Sequence, residues 1–368
     1  MKKFLAIMLA LVLVLGLAAC GASEEAPVDK EASTYEIAMI TDVGEIDDKS
    51  FNQGTWEGIK AYAEENNITH KYYKPTEQSV DAYLAAIQLA VKGGAKVVVT
   101  PGYLFEVPIY QAQEMYPDVS FILIDGYPND GTTDENGNTT AAPADNSVGI
   151  KFAEEQSGYL AGYAAVIDGY TKLGFMGGMA VPAVVRYGYG FAQGAEAAAK
   201  ELGMAPGSIQ MKYNYTGGFD ATPEVQTLAS SWYSDGTEVI FGCGGKVGNS
   251  VMAAAEAANG KVIGVDVDQS NESKTVITSA MKGLAASVKS TLSEYYDGKF
   301  PGGKSLTLGA EQEGVQLPME TSQFTTFNQE DYDTIYKQLQ SGELKLQKDD
   351  VASADKLGLS CVKVQVIK

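Results

Sequence analysis

The sequence predicts a two-lobed α/β protein, with two mainly parallel sheets, each flanked by helices, and a cleft between them. Three observations carry that expectation. Short apolar strands alternate with amphipathic helices from about residue 35 almost to the end of the 368-residue chain, as parallel sheets covered on both faces require. The length exceeds what one hydrophobic core usually organises. Loops of glycine and polar residues follow predicted strands in both halves, where open α/β sheets bind ligands.

At the start, Lys2–Lys3 precede an apolar run from Phe4 to Leu17, which ends in Leu17-Ala18-Ala19-Cys20. A charged start, an apolar run too short to span a bilayer and small residues before a cleavage point describe an export signal over residues 1–19. The last four residues resemble a bacterial lipobox. That implies a diacylated Cys20, a flexible tether over residues 20–34, and an extracytoplasmic protein held on the cell membrane by its lipid. Beyond residue 34 no apolar run approaches the roughly 18 residues of a spanning helix. The formal net charge is −20, from 27 basic and 47 acidic side chains, and loss of residues 1–19 removes Lys2 and Lys3 as well. Such acidity argues against nucleic acid as a partner and against a basic hold on anionic lipid. Cys243 and Cys361 follow no pairing pattern and are expected as separate buried thiols.

Strands are expected at Glu36–Ile40, His70–Tyr73, Lys96–Thr100, Ser120–Ile124, Lys172–Phe175, Ser208–Lys212, Glu238–Phe241, Lys261–Val265 and Thr275–Thr278. Helices fit between them at Phe51–Glu65, Val80–Val91, Leu104–Met115, Phe152–Ile167, Val184–Glu201, Pro223–Ser234, Gly248–Ala258 and Lys282–Tyr296. Ser50 reads as the N-cap of the first helix, whose apolar face begins at Trp56 and Ile59. Phe51 and Asn52 then stand at the helix N-terminus, beyond the end of the first strand. The polar stretch Gly126–Asn146 reads as the crossing into the second lobe. Residues 35–150 with about 279–300 are assigned to the first lobe, and 151–278 with about 301–368 to the second.

Six loops are candidates for a cleft shared by both lobes: Thr41–Gly44, Thr100–Tyr103, Asp125–Tyr127, Gly177–Met179, Gly242–Gly245 and Asp266–Gln269. Catalytic chemistry is hard to assemble from them. His70 is the only histidine and falls in a predicted strand, so neither a Ser–His–Asp set nor a histidine-rich metal site is expected. The Gly242–Gly248 segment fails both phosphate-loop templates, because Lys246 is not followed by Ser or Thr and the glycine spacing is wrong. The acidic groups at 42–48 and 266–268 lack calcium-loop spacing, so neither metal nor cofactor is expected.

The motifs TD-x-G…D-K-SFNQ at 41–53, FILIDG at 121–126 and GFMGG at 174–178 occur in one chain with Gly218-Phe219-Asp220 and IGVDVDQ at 263–269. By their order and spacing the chain resembles the basic membrane protein family of ABC-transporter substrate-binding lipoproteins, over residues 35 to about 320. The resemblance implies a type I periplasmic-binding-protein-like fold, no enzymatic activity, an extracytoplasmic monomer, a permease partner and a purine nucleoside ligand such as guanosine, inosine or adenosine. It also implies site roles. Phe51 and Tyr187 would clamp the base, with Phe191 the competing ring, placed inside a helix where core packing suits it better. Asn52 and Asp125 would hydrogen-bond the base; Asp266, Lys282 and the Gly245 amide would read the ribose, with Asp42 at the same rim. Lys282 beside Asp266 also fits a salt bridge of the second lobe. One departure is Gly245-Lys246-Val247-Gly248, where the family pattern carries GG-T-G; it opens the sugar end to a different pentose or an anionic group. A receptor for a sugar or sugar-derived signal, or a surface nucleoside sensor without a transport role, are the alternatives.

Overall fold

The computed structural model describes residues 34–135 and 139–368. The expected signal segment, Cys20 and all but the last residue of the tether lie outside the described residues. The first sheet takes β1 (Ile37–Ile40), β2 (His70–Tyr73), β3 (Val97–Pro101), β4 (Ser120–Ile124), β5 (Ser147–Phe152) and β11 (Lys304–Leu308). Their spatial order is β11-β5-β4-β3-β1-β2, with every pair parallel. The second takes β6 (Lys172–Gly177), β7 (Ile209–Tyr215), β8 (Val239–Cys243), β9 (Lys261–Asp266), β10 (Val276–Lys282), β12 (Val315–Gln316) and β13 (Val362–Val366). Here the order is β12-β10-β9-β8-β6-β7-β13, parallel except for the short β10–β12 pair.

Period-two alternation assigns each strand's faces. In β1, Ala38 and Ile40 turn to one side and join Tyr83 of α2 (Val80–Lys92) and Ile109 of α3 (Glu106–Met115). Ile37 and Met39 turn to the other, with Ile59 of α1 (Phe51–Glu65) and Val288 of α8 (Leu284–Tyr296). In the second sheet Met176, Ile240 and Val262 pack under α6 (Pro223–Ser234) and α7 (Val247–Ala258). Phe175, Phe241 and Ile263 belong to the core beneath α4 (Glu154–Ile167) and α5 (Pro182–Glu201). These last two helices touch backbone to backbone: a Cβ on Gly158 would lie 2.1 Å from the Tyr187 carbonyl, and one on Gly190 would lie 2.0 Å from that of Glu155. Glycine is what lets them close up, and their closeness sets the depth of Tyr187, Arg186 and Glu154.

The chain passes between the sheets in places other than those expected. Gly126–Asn146 does not cross over; it returns to β5, which pairs with β4. The crossings fall at Ala153, at Gly283 and between β11 and β12. Accordingly β10 keeps residues 279–282 in the second sheet, and β11 takes residues 304–308 into the first, against the expected boundaries near 279 and 301. β5, β11, β12, β13 and α9 (Gln329–Gln340) are absent from the expected set. β11, β12 and β13 are short or carry lysine and glutamine on exposed faces, β5 is buried but breaks its apolar residues with Gly149 and Lys151, and α9 buries only Tyr332, Ile335 and Leu339, so none offers a long apolar run.

Candidate functional site

The carboxyl ends of both sheets open on one cleft, and five of the six candidate loops contribute to its lining. The space among its lining residues, open solvent at the mouth included, is about 780 Å³. Asp42, Phe51, Asn52, Asp125, Tyr187, Gly245, Asp266 and Lys282 all line it. Phe191 does not; it is fully buried against Phe241.

On the first-sheet side, the turn before α1 is organised by Asp48 rather than Ser50. The Asp48 carboxylate accepts from the backbone N–H of Ser50 (2.9 Å), Asn52 (2.9 Å) and Gln53 (3.1 Å), so the helix N-terminus is capped from two residues further back. Ser50 makes no side-chain cap. Asn52 donates its Nδ2 to Asp42 at 2.8 Å and to Asp48 at 3.2 Å. That fixes the amide's direction and leaves its buried Oδ1 with no hydrogen-bond partner in the protein. Burial pushes Asp48 up to about 6 and raises Asp42, against the lowering pull of the Asn52 amide and the Gly44 N–H. Phe51, half-buried, places its ring 4.8 Å from the Lys282 ammonium.

The second-sheet wall is built around Phe219. A Cβ at Gly178 would stand 2.5 Å from its ring, and Cβ atoms at Gly244 and Gly245 would come within 3.1 Å and 2.8 Å of the same residue. The Gly177–Met179 loop thus stands behind the lining, supporting a half-buried aromatic that faces the cavity. Tyr187 is 1% exposed and donates its hydroxyl to Asp266 Oδ1 at 3.4 Å. Burial, then the Asp266 charge, raises the phenol far above its ordinary range. Lys246, expected toward the sugar end, instead reaches across the mouth to Asp47 at 2.9 Å, which holds the Asp47 carboxyl below its usual range.

At the floor, Lys282 ends β10 and faces three carboxylates. Its Nζ bonds Asp125, and stands 3.5 Å from Glu154 and 3.7 Å from Asp266. Glu154 is also held by Arg186, Nε to Oε2 at 2.6 Å, and Arg186 in turn bonds Asp349 at 2.9 Å. Two buried cations therefore serve three buried carboxylates, and one carboxylate has reason to keep its proton. It is Asp125: burial pushes it up to about 7 despite Lys282, and its Oδ1 has no partner in the protein. Glu154 moves the other way, lowered because Arg186 and Lys282 outweigh its burial, and Lys282 is raised by the carboxylates around it. Sequence reasoning missed Asp48, Glu154, Arg186 and the wall role of Phe219. Phe219 and Asp48 carried a signal, their places in the quoted Gly218-Phe219-Asp220 and D-K-SFNQ motifs; Glu154 and Arg186 carried none.

No set of three or more His, Cys, Asp or Glu residues among the described ones is arranged to hold a metal ion. Nor is any described helix long and apolar enough to cross a membrane. Cys243 and Cys361 are both free and buried, and His70 packs against Trp56 on edge strand β2, outside the cleft lining.

Residues 35–351 match the family described as ABC transporter substrate-binding protein PnrA-like. The ABC transporter nucleoside-binding protein BmpA of Lactococcus lactis is 29% identical over 338 residues, 85% of this chain and 90% of that protein. The CD4+ T-cell-stimulating antigen of Listeria monocytogenes is 30% identical over 342 residues, 86% and 90% of the two chains. Among solved structures, a solute-binding protein of an ABC transporter system from Aeropyrum pernix superposes with a TM-score of 0.72 at 22% identity, over 86% of this chain and 94% of that one; at that identity the likeness speaks for the fold. Fold, cleft and family pattern agree: the chain belongs to the PnrA-like, basic membrane protein family of ABC transporter substrate-binding proteins, extracytoplasmic proteins that bind a small molecule for a permease.

Proposed function

We propose that the cleft captures a purine nucleoside outside the cell and delivers it, chemically unchanged, to an ABC permease, from a lipid anchor at Cys20. The observation that carries this reading is the distribution of cleft chemistry. Two half-buried aromatic rings, Phe51 and Phe219, come from opposite lobes. Two buried acceptors without partners, Asn52 Oδ1 and Asp125 Oδ1, and an ammonium–carboxylate pair, Lys282 with Asp266, complete the lining. A flat base with a polar edge suits the rings and acceptors, gaining about 0.5–1.5 kcal/mol per aromatic pair beyond area burial. A ribose suits the pair, since hydroxyls donate to Asp266 and accept from Lys282. The name of the Lactococcus lactis relative, a nucleoside-binding protein, supports the same reading. Because the two sets of groups stand on different lobes, ligand contact with both favours the closed arrangement.

Thermal unfolding of ligand-stripped protein tests it. Inosine, guanosine or adenosine should raise the midpoint, whereas ribose or free base alone should do so weakly; no shift with any nucleoside overturns the reading. Growth on an exogenous nucleoside, with and without the protein, separates delivery to a permease from sensing.

A further inference from the structure

The turn before α1 reaches the second sheet at two points, one partly and one fully buried, and neither is explained by capping. Lys49 adopts a left-handed backbone, φ 62°, which suits few side chains. Its carbonyl accepts from Gln269 Nε2 at 2.7 Å. Gln269 is itself pinned, because its Oε1 accepts from the Val265 N–H at 3.0 Å and its own N–H donates to Ser279 Oγ at 3.0 Å. The next residue, Ser50, is fully buried and donates its hydroxyl to Asp266 Oδ2 at 2.5 Å. Asp48 caps the helix, so this hydroxyl is free to cross the cleft. The other donors to Asp266 are distant, Tyr187 at 3.4 Å and Lys282 at 3.7 Å.

We propose that Ser50 is a specificity-determining residue, a hydroxyl from the first lobe that satisfies Asp266 on closure and so lowers the penalty for a ligand that lacks a hydroxyl there. This rests on the nucleoside reading. A site that must leave a buried carboxylate unpaired rejects the deoxy analogue strongly. A built-in donor blunts that rejection. Gln269 holds the Lys49–Ser50 turn at the height where the donor reaches.

The test compares Kd values for inosine, 2′-deoxyinosine and 3′-deoxyinosine in the wild type, Ser50→Ala and Ser50→Thr. In Ser50→Ala the preference for inosine over whichever deoxy analogue lacks the hydroxyl read by Asp266 should grow about tenfold, the value of one hydrogen bond to a charged group. Ser50→Thr, which keeps the hydroxyl, should restore the wild-type ratio. Equal ratios in wild type and Ser50→Ala for both analogues overturn the proposal. If the wild type binds no nucleoside, the nucleoside reading fails and Ser50 is judged in ligand-free protein. Spin labels at Met115→Cys and Leu202→Cys, exposed sites on opposite lobes, report the distance between them. Ser50→Ala should deplete the short-distance population and Ser50→Thr restore it; an unchanged distribution overturns the clasp.

Discussion

Asp125 directly follows β4 and Asp266 ends β9 in the same left-handed conformation, φ 61° and 66°, and from opposite sheets both turn their carboxylates to the Lys282 ammonium. The backbone strain of a non-glycine residue in this region costs about 1–3 kcal/mol, and here it occurs at the matching strand end of each lobe. Asp125 bonds Lys282 directly, whereas Asp266 is 3.7 Å away and is held by Ser50.

The first prediction concerns pH. Asp125 is pushed up to about 7 by burial, so in the folded protein it holds a proton that an unfolded aspartate has already lost. Its contribution to stability is complete below about pH 4 and disappears as pH rises through 7. Asp48, pushed up to about 6, acts in the same direction. For binding the sign reverses: Lys282 holds Oδ2, so the proton sits on Oδ1, and that oxygen accepts an N–H from a base well only once it is ionised. Nucleoside affinity should therefore rise from pH 6 to pH 8, with protons released near pH 7. Calorimetry in buffers of differing ionisation enthalpy measures both, and Asp125→Asn should abolish the proton release. A flat profile would show that the ligand leaves Asp125 untouched.

Glu154→Gln tests the charge balance behind that value. Glu154 is fully buried, with its pKa lowered by Arg186 and Lys282, so its stabilising contribution is present above about pH 4.5 and fades as pH falls below that. Removing its charge leaves Lys282 and Arg186 to serve Asp125 and Asp266 alone, and Asp125 keeps its burial but loses one of the neighbouring charges that raise it further. The midpoint of the affinity profile should move below pH 7. Stability at pH 7 should fall by about 1–3 kcal/mol, read by denaturant unfolding, and by less at pH 4. Altered stability with an unmoved midpoint would make Glu154 a packing residue only.

How much of this was legible follows from where each signal lies. Asp42, Asn52, Asp125 and Asp266 stand in or just beyond the turns that end apolar strands, and that placement can be read in one dimension. The role of Ser50 could not. Its preference for the N-cap holds generally, but Asp48 folds back to cap the helix, a choice that depends on a left-handed Lys49 no propensity announces. Glu154 follows Ala153 as an ordinary acidic helix start, and its charge meets Lys282 only because two crossings between the sheets converge. The same convergence hid the lobe boundaries: β11 is a short edge strand whose pairing with β5 spans about 150 residues of sequence.

A third prediction separates the two rings proposed for the base. Phe219 is half-buried and propped by glycines, whereas Tyr187 is 1% exposed and tied to Asp266. Leucine keeps apolar bulk but loses the π face, so Phe219→Leu should weaken nucleoside binding about tenfold. Tyr187→Phe, which removes only a long hydrogen bond, should cost no more than a few-fold. A larger loss for Tyr187→Leu than for Phe219→Leu, with unfolding midpoints unchanged, would return Tyr187 to the stacking role implied by the family resemblance.

The last prediction concerns the helix pair that carries Glu154, Arg186 and Tyr187 to the cleft. A Cβ at Gly190 would lie 2.0 Å from the Glu155 carbonyl oxygen, and backbone cannot yield as the end of a flexible side chain can. Gly190→Ala therefore has to push α5 away from α4. In a helix interior alanine would otherwise gain about 1 kcal/mol over glycine, so the sign of the effect discriminates. Overpacking of about 1–3 kcal/mol should outweigh that gain and lower the thermal midpoint. Displacing α5 also draws Arg186 from Glu154, so the binding profile should shift toward acid pH as in Glu154→Gln. A raised midpoint would mean that the two helices part without cost, and that their contact does not set the geometry of the charged floor.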